Sequence, residues 1–262
     1  MKICITSLLI AIGWSFPVLA QDQPTVALGK SFVDEFDRFD PDLWMASNGW
    51  NNGAHQNCTW STREIDVGKG QLTLSFSNVP FKDRQYSCGE VQTKQRFQYG
   101  TYEARMRTGA GSGLNAAFFT YIGPTQKQPH DEIDFEVLLK DTSKVQLNTY
   151  IDAQQHNTAL VDVPGGSDND FHDYAFVWEP DRMSWYVDGK LMHQSEPDAT
   201  LPTHPQKIFF SIWGTDTLSA WMGKFEVPQK PVKLEVERVA FTAKGEKCQF
   251  PQSIVCMLAA KE

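Results

Sequence analysis

The residues best suited to do chemistry lie in one short run, His130-Asp131-Glu132-Ile133-Asp134-Phe135-Glu136-Val137-Leu138-Leu139. Read as a strand, the run sends Ile133, Phe135, Val137 and Leu139 to one face and Glu132, Asp134 and Glu136 to the other. A charged strand face usually does no more than meet water. Here no Lys or Arg is interleaved to relieve the three like charges, so the row costs stability unless it has a use. Crowding also raises the proton affinity of at least one acid, which a general acid at neutral pH requires. Glu132 and Glu136 are four residues apart, roughly 13 Å between α-carbons in an extended chain. On a concave sheet their long side chains can lean together, toward the separation of about 5–5.5 Å that retaining glycoside hydrolysis uses. One carboxylate would then attack the sugar carbon while the other protonates the leaving oxygen and later activates water.

Such chemistry needs rings against which apolar sugar faces can stack, and the chain has eight Trp, 17 Phe and seven Tyr. Most of these belong to a core. Trp213 and Trp221, set among Gly214, Thr215, Asp216 and Gly223, read as loop residues bordering a cleft. His130, beside the acids, is a candidate cleft residue, whereas the remaining histidines are scattered and read as structural. Gly109-Ala-Gly111-Ser-Gly113 lacks the Gly-Lys-Ser/Thr ending of a phosphate loop and reads as a hairpin connection.

The elements that must hold these residues are strands. Leu72, Leu74 and Phe76 alternate, as do Tyr102, Ala104 and Met106, and strand-like runs recur at 116–121, 144–150, 174–178, 208–213 and 232–241. Met183 to Met192 is a hairpin with Asp188-Gly189 at its turn. No helical stripe of three or four turns appears. The expected fold is all-β, a sandwich of two antiparallel sheets, formed by a single domain over residues 21–262. Residues 21–31 and the tail after Lys244 read as peripheral.

Residues 1–20 have the layout of a secretory signal peptide, with basic Lys2, an apolar run and Pro17-Val18-Leu19-Ala20 before a cut after Ala20. The mature chain is therefore expected outside the cytoplasm, without a membrane anchor. Cys4 leaves with that segment, so Cys58, Cys88, Cys248 and Cys256 remain; three pairings exist, and proximity in sequence favours Cys58–Cys88 with Cys248–Cys256, the second stapling the tail. No Cys-x-x-Cys or His-Glu-x-x-His spacing supports a metal site. With 24 basic against 32 acidic residues, the net charge of −8 argues against binding nucleic acid.

The same residues resemble glycoside hydrolase family 16. Glu132-Ile-Asp134-Phe-Glu136 is similar to its Glu-Ile-Asp-x-Glu signature, and the likeness to the bacterial lichenase branch runs from about Asn57 to Phe241 through Asn57-Cys-Thr-Trp60, Tyr99-Gly-Thr-Tyr102-Glu103, Phe118 to Pro124 and Trp185-Tyr-Val-Asp-Gly189. The resemblance implies a β-jelly-roll with a substrate cleft across its concave sheet. It makes Glu132 the nucleophile, Glu136 the acid/base and Asp134 the residue that tunes the nucleophile. Glu90 and Asn148 match positions that contact sugar hydroxyls, and Tyr121, Tyr150, Trp213 and Trp221 match cleft aromatics. Cys58 and Cys88 fall where the branch has its disulfide. No cofactor is implied for catalysis; a structural calcium ion is common in the branch, but Glu237 stands here in place of its Asp.

Other departures bear on specificity. His130 stands where lichenases place Trp, Gln92 replaces an Arg, Ser211 replaces an Asn, and the Cys248–Cys256 tail is extra. These features look more like the rhizobial-type secreted endo-1,3-1,4-β-glycanases that shorten exopolysaccharides such as succinoglycan. The expectation is a monomeric, secreted, retaining endo-β-glycanase whose partner is its polysaccharide. The alternatives are a xyloglucan-type endotransglycosylase, which shares the His-Asp-Glu-Ile-Asp-Phe-Glu run, and a non-catalytic carbohydrate-binding jelly roll.

Overall fold

The computed structural model describes residues 27–260; the expected signal peptide lies outside the described residues. Strands follow one another as β1 (Phe32–Asp34), β2 (Trp44–Ala46), β3 (Cys58–Trp60), β4 (Ile65–Val67), β5 (Leu72–Ser77) and β6 (Tyr86–Cys88). Then come β7 (Glu90–Thr93), β8 (Gly100–Thr108), β9 (Leu114–Ile122), β10 (Asp131–Leu138), β11 (Lys144–Ile151) and β12 (Gln154–Asp162). The last are β13 (His172–Trp178), β14 (Met183–Val187), β15 (Lys190–Gln194), β16 (Lys207–Gly214) and β17 (Val232–Ala243). Two short α-helices, α1 (Ser219–Met222) and α2 (Ile254–Ala259), follow β16 and β17.

These strands form two sheets stacked as a jelly-roll sandwich. One has seven strands in the order β12-β11-β10-β9-β16-β7-β2; the other has ten, along β15-β14-β13-β8-β17-β5-β6-β3 with β1 and β4 at the side. Pairing is antiparallel except for the short β3–β6 ladder, which is parallel. The alternation read from the sequence has the expected consequence. Ile133, Phe135 and Val137 of β10, Phe118 of β9 and Ile208, Phe210 and Ile212 of β16 are fully buried against Tyr102, Met106, Tyr174, Phe176 and Leu234 of the other sheet. Phe118 sits at the middle, stacked with Phe210 at 5.1 Å and Phe176 at 5.7 Å between ring centres. In β17 a bulge between Val236 and Arg238 lets Leu234, Val236, Val239 and Phe241 all face inward and leaves Glu237 and Arg238 outside.

Three expectations change. The Gly109–Gly113 segment is not a hairpin: β8 pairs with β13 and β17 and β9 with β10 and β16, so the segment crosses between sheets. Gly113 has φ +82°, and a β-carbon there would meet Phe225 at 2.5 Å, so only glycine fits the crossing. Trp213 lies within β16 and Trp221 on α1, not in loops, because the alternation of β16 continues through Gly214. The tail, finally, is anchored. The buried Glu103 carboxylate accepts from Ser253 Oγ at 2.6 Å and Ile254 N at 2.7 Å, and Ile254 packs on Ala175 and Tyr186, on the outer face of the ten-stranded sheet. The Cys248–Cys256 disulfide closes the loop leading to this contact, and the Cys58–Cys88 disulfide joins β3 to β6.

Candidate active site

The outward residues of the seven-stranded sheet form the floor of a cleft of about 760 Å³. Register arranges them in rows across the strands. Glu132 of β10 stands between Tyr121 of β9 and Tyr150 of β11; Asp134 between Phe119 and Asn148; Glu136 between Ala117 and Gln146. On the far side of β9 the rows continue to Lys207, Phe209 and Ser211 of β16, and Phe209 and Ser211 face Gln92 and Glu90 of β7. The loop bearing Trp50, Asn51, Asn52 and His55 forms one wall. It is tied down by Trp60 N donating to Trp50 O and Asn57 N to Gly214 O, both at 2.9 Å.

The three acids have different surroundings. Glu136 accepts from Asn115 Nδ2 at 2.7 Å on one oxygen and from Asn148 Nδ2 at 2.9 Å on the other. Both bonds favour its charged form, but burial and the nearby Glu132 charge outweigh them and push its pKa up to about 7. Burial, then Glu132 and Glu136, hold Asp134 protonated well above the ordinary carboxylate range. Glu132, half-buried, is bonded to His130 Nε2 at 2.7 Å. That bond raises the histidine's pKa, against the opposing effect of burial. The imidazole is clamped, stacked on Tyr150 at 5.4 Å and edge-on to Tyr121 at 5.0 Å. The fourth acid of the run, Asp131, faces inward and accepts from Thr203 N and from His204 N and Nδ1, a loop-pinning role.

Of the expected cleft residues, Glu90, Tyr121, His130 and Trp213 line the cleft with the three acids. Glu90 is buried, bonded to Ser47 Oγ at 2.5 Å, and burial lifts its pKa to about 7. Asn148 is fully buried beneath the surface, because its amide is spent on Glu136. Its oxygen accepts from Gln155 Nε2 at 2.7 Å and Gln146 Nε2 at 3.3 Å, which fixes the amide so that its NH₂ faces the acid. Gln146 in turn accepts from Trp221 Nε1 at 2.8 Å. Trp221 thus stands beside the cleft, its ring 6.2 Å from Trp213, and Tyr150 backs His130. Sequence reasoning missed Asn115 and Lys207. A polar residue inside the apolar run Leu114-Asn-Ala-Ala-Phe-Phe119 was the available sign of the first.

For the calcium ion the donor set does not fit: Glu237 Oε2 is taken by Arg105 Nε at 2.9 Å, and Arg105 also bonds Asp173 at 3.1 Å, so a guanidinium already neutralises that carboxylate. Among the described residues no group of three or more His, Cys, Asp or Glu is arranged to hold a metal ion.

A β-sandwich whose cleft floor carries a row of carboxylic acids among aromatic rings has the architecture of a glycoside hydrolase. The chain belongs to glycosyl hydrolases family 16, which it matches over residues 52–230. It is 56% identical to the endo-1,3-1,4-beta-glycanase ExoK of Rhizobium meliloti (strain 1021) over 229 residues, 87% of this chain and 85% of that protein. It is 35% identical to the beta-glucanase of Bacillus subtilis (strain 168) over 217 residues, 82% of this chain and 88% of that one. The solved Bacillus licheniformis beta-glucanase superposes with a TM-score of 0.78 at 34% identity, covering 82% of this chain and 99% of that chain.

Proposed function

We propose that the protein is a secreted, retaining endo-β-glycanase that cuts β-1,3-1,4-linked glucan or a related exopolysaccharide such as succinoglycan. The observation that carries this reading is the Glu136 carboxyl, bonded by two amides and raised to a pKa of about 7, in the same strand row as Glu132. In the first step a Glu132 oxygen attacks the anomeric carbon as Glu136 gives its proton to the departing glycosidic oxygen. A glycosyl ester on Glu132 and one shortened chain result. In the second step Glu136, now a carboxylate, takes a proton from water, whose oxygen attacks the same carbon and frees Glu132. Two inversions leave the configuration unchanged. Protonated Asp134 hydrogen-bonds Glu132 and steadies its charge whenever the carboxylate is free, and His130 does the same from the other side. The names of the similar glycanases support the polymer class; the apolar run and Ala20 support export, with residues 21–262 as one monomeric catalytic unit. Glu90, Tyr121, Trp213 and Trp221 are proposed to hold sugar rings.

The test is digestion of mixed-linkage glucan, laminarin, xyloglucan and succinoglycan, with proton NMR of the first product. New reducing ends of β configuration support the reading; α ends, or chain transfer to added oligosaccharides without net new ends, overturn it.

A further inference from the structure

We infer that Lys207 forms an anion subsite on the cleft wall, which takes a carboxylate carried by the glycan itself. This rests on the glycanase reading above. Among the described residues Lys207 is the only Lys or Arg lining the cleft. It is half-buried, yet makes no ion pair with a described residue; its single partner is the neutral Gln92 Oε1, at 2.9 Å. An ammonium has three donors, so two remain for a ligand.

The cation is not there to balance the catalytic acids. Along the floor Lys207 is two strands from Glu132, with Tyr121 between them. Its head turns the opposite way, toward β7, where Gln92 is itself buried. Burial, joined by the charge of Arg96, pulls its pKa below the ordinary value, so the structure bears a cost for keeping a cation there.

A carboxylated glycan supplies the missing counter-charge. The chain carries a net −8, and its cleft is lined by acidic side chains with Lys207 the one basic side chain among the described lining, so an acidic polymer is repelled unless a local cation offsets that field. A carboxylate (uronic acid, or an acidic substituent on a glucose unit) would accept from the two free ammonium donors while its ring lies on the floor beside Phe209. Neutral glucan makes no such contact, so Lys207 would set preference among polymers without taking part in bond cleavage.

The experiment compares a neutral mixed-linkage glucan with the same glucan partly oxidised at C6 to glucuronate, using the full-length mature enzyme, Lys207→Gln and Lys207→Arg. Each preparation is assayed on both polymers, so the neutral polymer corrects for misfolded protein. The ratio of kcat/KM on the acidic to the neutral polymer should fall roughly 5–10-fold in Lys207→Gln, mainly through KM, and be largely retained in Lys207→Arg. Raising the salt concentration should erode the wild-type ratio but not that of Lys207→Gln. An unchanged ratio, or an equal loss on both polymers, overturns the subsite while leaving the glycanase reading intact. If the wild-type enzyme cuts neither polymer, both fall together.

Discussion

Glu136 is held between opposing influences, and its proposed role can be tested through them. Its pKa near 7 means that the acid needed for the first step is lost as pH rises, so kcat/KM should decline above about pH 7. Glu136→Ala should lower the rate on polymer by roughly 10²–10⁴-fold, and far less on an aryl glycoside whose leaving group needs no proton. His130→Ala, which removes a charge-assisted bond to Glu132, should cost roughly 10–100-fold in kcat/KM, with His130→Gln recovering part of it. Glu90 offers the stability counterpart. Its folded pKa of about 7 lies above its ordinary 4.5, so the stability it contributes is whole below about pH 4.5 and lost as pH rises through 7. Glu90→Gln should therefore raise the Tm at pH 8 and leave it little changed at pH 4, read by calorimetry. The carboxylates themselves were legible from alternation alone, whereas Asn115 and Lys207 were not. Both act through cross-strand neighbours that only the β9–β10 and β16–β7 pairings bring together.

At the scale of elements, the strand pattern was readable because one face of nearly every strand is buried, which writes a period of two into the sequence. The sheet to which each strand belongs was not. The 109–113 segment has hairpin chemistry but joins strands of different sheets, and nothing local to it specifies partners. The Asp188-Gly189 turn was legible, with φ of +50° and +73° at its two central residues. A β-carbon at Gly189 would also meet Met257 of α2 at 2.5 Å. Gly189→Ala should therefore combine backbone strain with a shift of the Met257 side chain, and cost about 1–2 kcal/mol in denaturant unfolding. Phe118→Ala, at the centre of the sandwich, should cost about 3–5 kcal/mol by the same measurement.

For the whole molecule, the Cys58–Cys88 bridge spans 30 residues and borders the loop that carries Trp50 and His55 over the cleft. Loop-closure entropy assigns it about 3–4 kcal/mol, so reduction should lower the Tm and raise KM together, as stability and the cleft wall loosen at once. The second bridge lies on the opposite side of the sandwich, where Ile254 seals the outer face of the ten-stranded sheet. That places the cleft and the anchored tail on opposite faces of the sandwich. A cargo module or solid support attached beyond α2 would stand behind the enzyme, leaving long polymer chains an unobstructed approach from the front.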